Sequence, residues 1–149
     1  MTVTITRTTP SDEADWRRLW ADYCAFYEVS LPEATVAELW RRILDPKAPI
    51  KSLMARDGEG RALGFANYVL HPHTWSSATL CYLEDLFTDA DARGRGVGRA
   101  LIDRLVEIAR AEGWGRVYWH THEGNATARA LYDKVAGGHD GFLRYTVRP

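Results

Sequence analysis

The sequence predicts a single α/β domain in which a mixed, mostly antiparallel central sheet is flanked by helices. Three observations carry that prediction. Apolar residues recur at helical spacing in four stretches, and alternating stretches bounded by turn residues lie between them. A glycine-rich segment joins the longest expected strand to the third expected helix.

Thr2 to Arg7 alternates and reads as a first strand. Pro10, Ser11, Asp12 and Glu13 have the chemistry of a helix start, and Trp16, Leu19, Trp20, Tyr23 and Tyr27 then form one apolar face. Ser30-Leu31-Pro32-Glu33 has the S-x-x-E form of a capping box, opening a second helix with Val36, Leu39, Trp40 and Ile43 on one side and Asp45-Pro46 at its end. Ile50 to Arg56 and Arg61 to Leu70 read as a hairpin around the turn Asp57-Gly58-Glu59-Gly60. His71 to Ser77 is a loop, and Ala78 to Thr88 a long strand with Glu84 and Asp85 in its middle. Leu101, Leu105, Ile108 and Ala109 mark a third helix ended by Gly113. Val117 to His120 is a strand, Asn125 to Val135 a fourth helix, and Phe142 to Val147 a last strand.

Composition narrows the function classes. A chain of 149 residues suits one domain, and 46% hydrophobic with 26% charged residues argues against disorder. A formal charge of -1 lacks the basic excess of a nucleic-acid binder, and no apolar run is long enough to span a bilayer, so neither partner is expected. The start, Met1 to Arg7, lacks the basic and apolar regions of a signal peptide. Cys24 and Cys81 are far apart and read as core residues, which leaves a cytoplasmic location as the default. Six Trp and seven Tyr exceed the needs of so small a core, which points to some of them lining a groove.

The segment Arg93-Gly94-Arg95-Gly96-Val97-Gly98 offers bare backbone N–H groups at a helix amino terminus, with two arginines beside them. A diphosphate suits that chemistry; a glycine-rich surface turn is the bland alternative. No Lys follows Gly98, so a Walker loop is excluded, and the glycine spacing is not that of a dinucleotide fingerprint.

With these residues the chain resembles the GNAT superfamily of N-acetyltransferases, whose pyrophosphate loop reads Q/R-x-x-G-x-G/A. The resemblance takes in Tyr82-Leu83-Glu84-Asp85-Leu86-Phe87-Thr88 before the loop. It extends to Asn125-Ala126-Thr127-Ala128-Arg129-Ala130-Leu131-Tyr132, which looks like the family's N-x-x-A-x-x-x-Y pattern. Leu-Glu-Asp looks like the spermidine/spermine and histone/polyamine branch. The tail departs, because Ala136 to Asp140 separates the last helix from Gly141-Phe142.

The resemblance implies acetyl-CoA as co-substrate and no metal. It implies cofactor contacts from Leu86, Phe87, Thr88, Arg93, Gly94, Arg95, Gly96, Val97, Gly98, Arg99, Asn125 and Arg129. It also implies Tyr132 as the acid that protonates the departing sulfur, where packing beside Leu131 and Val135 is the alternative. An alkyl amine with a pKa of about 10 must lose a proton before it attacks a thioester, so a base is needed. Glu84 is the candidate, acting through water. Simple alternation sends Glu84 and Asp85 to opposite faces, and either acid could instead hold a cationic substrate or pair with an arginine.

For the acceptor, Tyr27, Glu28, Trp75 and Asp85 are the substrate-binding candidates, with Tyr23, Phe26 and His71 nearby in sequence. The pairs His71/His73 and His120/His122 have no third clustered ligand. The expected reaction is direct acetyl transfer to a primary amine: a polyamine, a lysine-like molecule or an amino acid. Basic protein tails, a non-catalytic acyl-CoA sensor and a nucleotide-phosphate binder are the competing readings. A homodimer, common in the family, is compatible with the aromatic excess.

Overall fold

The computed structural model describes residues 2–149; Met1, part of the alternating amino-terminal stretch, lies outside the described residues. The chain divides into two units, residues 1–119 and 120–149.

The first unit is built on five strands in the order β1-β2-β3-β4-β5: β1 (Thr4–Arg7), β2 (Ile50–Arg56), β3 (Ala62–His71), β4 (Leu80–Thr88) and β5 (Val117–Tyr118). β1 to β4 are antiparallel neighbours, and β5 is parallel to β4, so the sheet is mixed and mostly antiparallel as expected. β2 to β4 pair in sequence through short connections, β1 joins β2 across two helices, and β5 returns through a crossover helix. That helix is α3 (Val97–Glu112); α1 (Glu13–Phe26) and α2 (Glu33–Leu44) link β1 to β2.

Burial of the periodic apolar faces decides the packing. Trp16, Leu19 and Trp20 of α1 and Trp40 and Ile43 of α2 form one core with Met54, Phe65 and Phe87 of the sheet. Much of the aromatic excess is consumed here. Trp16 stacks on Trp20 at 5.5 Å, Trp20 on Tyr23 at 5.1 Å, and Tyr23 meets Tyr27 at 4.9 Å. Leu101, Ile102 and Leu105 of α3 are fully buried, and Tyr68 beside Trp114 belongs to that side of the sheet. At Gly64 a Cβ would collide with the Phe87 carbonyl, and the Val97 methyl would stand 3.3 Å away. Glycine there lets the start of α3 lie against the sheet.

Three elements depart from the sequence expectations. Ser30 does not cap α2: the helix begins at Glu33 with Pro32 at the N-cap, and Glu33 instead pairs with Arg17 at 2.7 Å. Leu31 precedes a proline, which disfavours helical dihedrals there, so the helix starts after Pro32. The strand expected at 117–120 is only two residues long. In the second unit, α4 (Ala126–Ala136) forms with Asn125 as N-cap, but Phe142–Val147 is not a strand. Its alternation is real, yet a strand exists only through its ladder, and Phe142, Leu143, Tyr145 and Val147 are exposed.

Candidate functional site

The donor side starts where β4 ends. Asp89 accepts from the Asp91 backbone, closing a single 3-10 turn (Ala90–Ala92) that delivers Arg93. Asp89 is buried and bonded to Arg18 of α1 at 2.9 Å, with Arg61 at 3.6 Å. Burial alone would push its carboxyl up, but the bonds from Arg18 and the Asp91 N–H hold it below the ordinary value. This anchor ties the loop to α1 and β3.

Gly94 and Gly96 follow at φ 77° and 78°, the left-handed region, and the space where a Cβ would stand is open at both. Gly96 is the N-cap of α3, and no side chain caps this helix. Its first-turn N–H groups therefore carry partial positive charge without a side-chain acceptor. Arg93 is held in place: its Nε donates to the Thr88 carbonyl at 3.3 Å, and its guanidinium lies 5.6 Å from the Phe26 ring and 5.7 Å from that of Phe87. Arg99 is paired with Asp103 one turn on. The expected cofactor residues Arg93 to Arg99 thus form one loop and helix start whose geometry suits a pyrophosphate. Leu86, Phe87 and Thr88 supply the strand leading into it.

The strand carries a second feature. β4 pairs with β5 only through Cys81–Val117 and Tyr82–Tyr118, so beyond Tyr82 this edge has no ladder partner among the described residues. Such a strand edge suits an extended amide-bearing arm added like a strand. On the other edge the register slips: Asn67 faces Asp85, but Tyr68 faces Leu83, leaving Glu84 as the extra residue of a β-bulge.

The bulge interrupts the simple alternation on which the expectation of opposite faces for Glu84 and Asp85 rests. Two residues on the bulged strand stand against one on its partner, so alternation pauses. Leu83 pairs with Tyr68 on the α3 side, whereas Asp85 and Phe87 contact Tyr23 on the α1 side. Asp85 and Arg42 of α2 both act on the Glu84 carboxyl. Glu84 is exposed as a residue, yet its carboxyl is raised above the ordinary value by partial burial and the neighbouring Asp85, with Arg42 opposing. Asp85 is also raised by burial, opposed by hydrogen bonds from Tyr23 and Asn67. That bonding, Tyr23 Oη to Asp85 at 2.7 Å and Asn67 Nδ2 to Asp85 at 3.2 Å, had no signal in the sequence; only the packing of α1 on β3 and β4 creates it.

The acceptor candidates are spread along the surface. Tyr27 and Glu28 end α1 beside Phe26, all exposed. Trp75 is exposed in the loop after β3 and contacts only His73 among ring partners. His71 is engaged through both nitrogens, with the Pro72 carbonyl at 2.8 Å and the Tyr118 hydroxyl at 2.7 Å. No group of three His, Cys, Asp or Glu among the described residues is placed to hold a metal ion. Within the second unit, Asn125 Oδ1 accepts from the Ala128 N–H at 3.4 Å, Arg129 bonds the Glu123 carbonyl at 2.9 Å, and Tyr132 lies partly buried two turns along α4.

Comparison with known proteins agrees with this geometry. The sequence model of the Acetyltransferase (GNAT) family matches residues 16–137. The chain is 37% identical over 128 residues to a D-amino-acid N-acetyltransferase of Saccharomyces cerevisiae, covering 85% of this chain and 80% of that protein. It is 32% identical over 110 residues to a thialysine N-epsilon-acetyltransferase of Caenorhabditis elegans, covering 74% and 67%. A crystal structure of a probable acetyltransferase superposes with a TM-score of 0.88 over 98% of this chain and 97% of that one; at 21% identity it speaks for the fold alone. The chain belongs to the Acetyltransferase (GNAT) family and is an acetyl-transferring enzyme.

Proposed function

We propose that the protein transfers an acetyl group from acetyl-CoA to the primary amine of a small molecule by direct attack. The observation that carries this is Glu84, the unpaired residue of the β4 bulge, standing on the strand whose other edge is open and which runs into the glycine loop. Acetyl-CoA, when bound, supplies the activated thioester. The loop Arg93 to Gly98 and the amino terminus of α3 hold its pyrophosphate, with Arg99, Asn125 and Arg129 as further contacts. The backbone of Leu86, Phe87 and Thr88 aligns its amide arm. Glu84, with its raised carboxyl, takes the ammonium proton through water, and Tyr132 donates a proton to the departing sulfur.

The acceptor is an amino acid or a lysine-like amine. Relatives acting on D-amino acids and thialysine, as named, support this over basic protein tails. Polyamines form a second reading, favoured by the acidic character of Glu28, Glu84 and Asp85, which draw a cation. Tyr27, beside Tyr23 at the end of α1, offers an aromatic face to that cation, and Trp75 is a second aromatic candidate in the loop after β3. A coupled thiol-release assay on D- and L-amino acids, lysine analogues, polyamines and basic peptides tests the reading. Turnover with one of the small amines, lost in Glu84→Gln, is the expected outcome. Tight acetyl-CoA binding with no turnover on any amine would instead identify a non-catalytic sensor.

A further inference from the structure

Asp85 lies behind the bulge, and its surroundings have a direction. Trp16 Nε1 is a donor only, and it points at Asn67 Oδ1 at 3.4 Å. That contact orients the Asn67 amide, so its Nδ2 faces Asp85 Oδ2 at 3.2 Å. The other carboxylate oxygen, Oδ1, receives the Tyr23 hydroxyl at 2.7 Å. Residue 85 is therefore offered two donors, one per oxygen, and the form that accepts both with no proton of its own to place is the carboxylate. Asn67 is buried and faces Asp85 directly across the ladder, at the pair where the register slips. Tyr23 is fixed by its own ring contacts with Trp20, Tyr27, Phe65 and Phe87.

We propose that Trp16, Asn67 and Tyr23 form a positioning chain that keeps Asp85 a carboxylate beneath the bulge and thereby sets a fixed negative charge behind Glu84. This rests on the reading of Glu84 as the base. The chain does two things for it. The Asn67–Asp85 bond pins the ladder beside the slip, so the extra residue stays Glu84. The charge of Asp85 disfavours a second negative charge nearby, which makes Glu84 a stronger base than an isolated carboxylate.

Several titratable groups of the described residues act on this pair or on Tyr23. Tyr23 and Cys24 come from α1, with Tyr27 just beyond it acting on Tyr23, Arg42 comes from α2, and β3 contributes the neutral Asn67. Arg42 acts against Asp85 by favouring ionised Glu84.

The test combines the pH dependence of kcat/KM with carboxyl NMR titration of Glu84 in the intact protein, which needs no turnover. Asp85→Asn removes the charge; Tyr23→Phe keeps the ring contacts and removes one donor. Both are expected to move the Glu84 titration, and the acid limb of kcat/KM with it, to lower pH. The shift should be about one unit in Asp85→Asn and smaller in Tyr23→Phe. The double variant should shift no further than Asp85→Asn, because Tyr23 acts through Asp85. A Glu84 titration unmoved in both folded single variants overturns the inference. Should Glu84→Gln keep the wild-type acid limb while the NMR shifts occur, the base assignment fails and the positioning chain stands.

Discussion

Glu28 ends α1 at φ 55°, a conformation that non-glycine residues seldom adopt. The bonds around it, Val29 N–H to the Cys24 carbonyl at 2.9 Å and Glu28 N–H to the Ala25 carbonyl at 3.1 Å, are those of a Schellman motif, whose left-handed position usually holds glycine. Glu28→Gly is therefore expected to stabilise the protein by about 1 kcal/mol, read as a raised Tm. If Glu28 draws the acceptor, the same change raises KM for the amine and leaves that for acetyl-CoA alone. A lowered Tm would mean the glutamate side chain makes a stabilising contact. Tyr132 belongs at the same scale. Tyr132→Phe should lower kcat by roughly a hundredfold with acetyl-CoA binding intact, since one hydroxyl is removed and general acid catalysis contributes about that much. Near-wild-type turnover across the pH range would remove Tyr132 from the acid role.

At the scale of elements, the loop and α3 depend on small residues for different reasons. Gly94 and Gly96 are needed for their dihedrals, whereas Gly64 is needed for closeness between β3, β4 and Val97. Gly64→Ala forces the Phe87 carbonyl or the α3 start to move, so it should cost about 1–3 kcal/mol in denaturant unfolding. Because Val97 is the first residue of α3, the same change should weaken acetyl-CoA binding by calorimetry. An unfolding loss with unchanged binding would show that the sheet, not the helix, gives way. The bulge is the other element-scale device: one extra residue interrupts the alternation between Leu83 and Asp85 and leaves Glu84 without a ladder partner on β3.

For the whole molecule, stability against acid should rest on aspartates held below their ordinary value. Burial works against Asp12 and Asp89, and arginines outweigh it: Arg56 and the Thr9 N–H for Asp12, Arg18 for Asp89. Groups depressed in the folded state contribute fully above the unfolded value of about 3.8, and that contribution is lost as pH falls through the lower folded values. Asp89→Asn should thus cost about 1–2 kcal/mol at neutral pH, and the gap from wild type should close below pH 3.8. A gap that persists in acid would mean that Asp89 matters for shape rather than charge.

The sequence by itself determined the order of elements through β5 and α4, the mixed sheet, and the glycine loop, because apolar period and glycine spacing are local properties of the chain. It also marked Glu84 and Asp85 as chemistry-bearing residues. The tertiary structure decided what local pattern cannot reach. The alternation of Phe142–Val147 does not make a strand without a ladder, and S-x-x-E does not make a cap when proline takes the N-cap. Above all, the register between β3 and β4 is a relation between two segments. Only once Asn67 faces Asp85, and α1 brings Tyr23 to it, does Glu84 become the bulged residue with a half-buried carboxylate behind it.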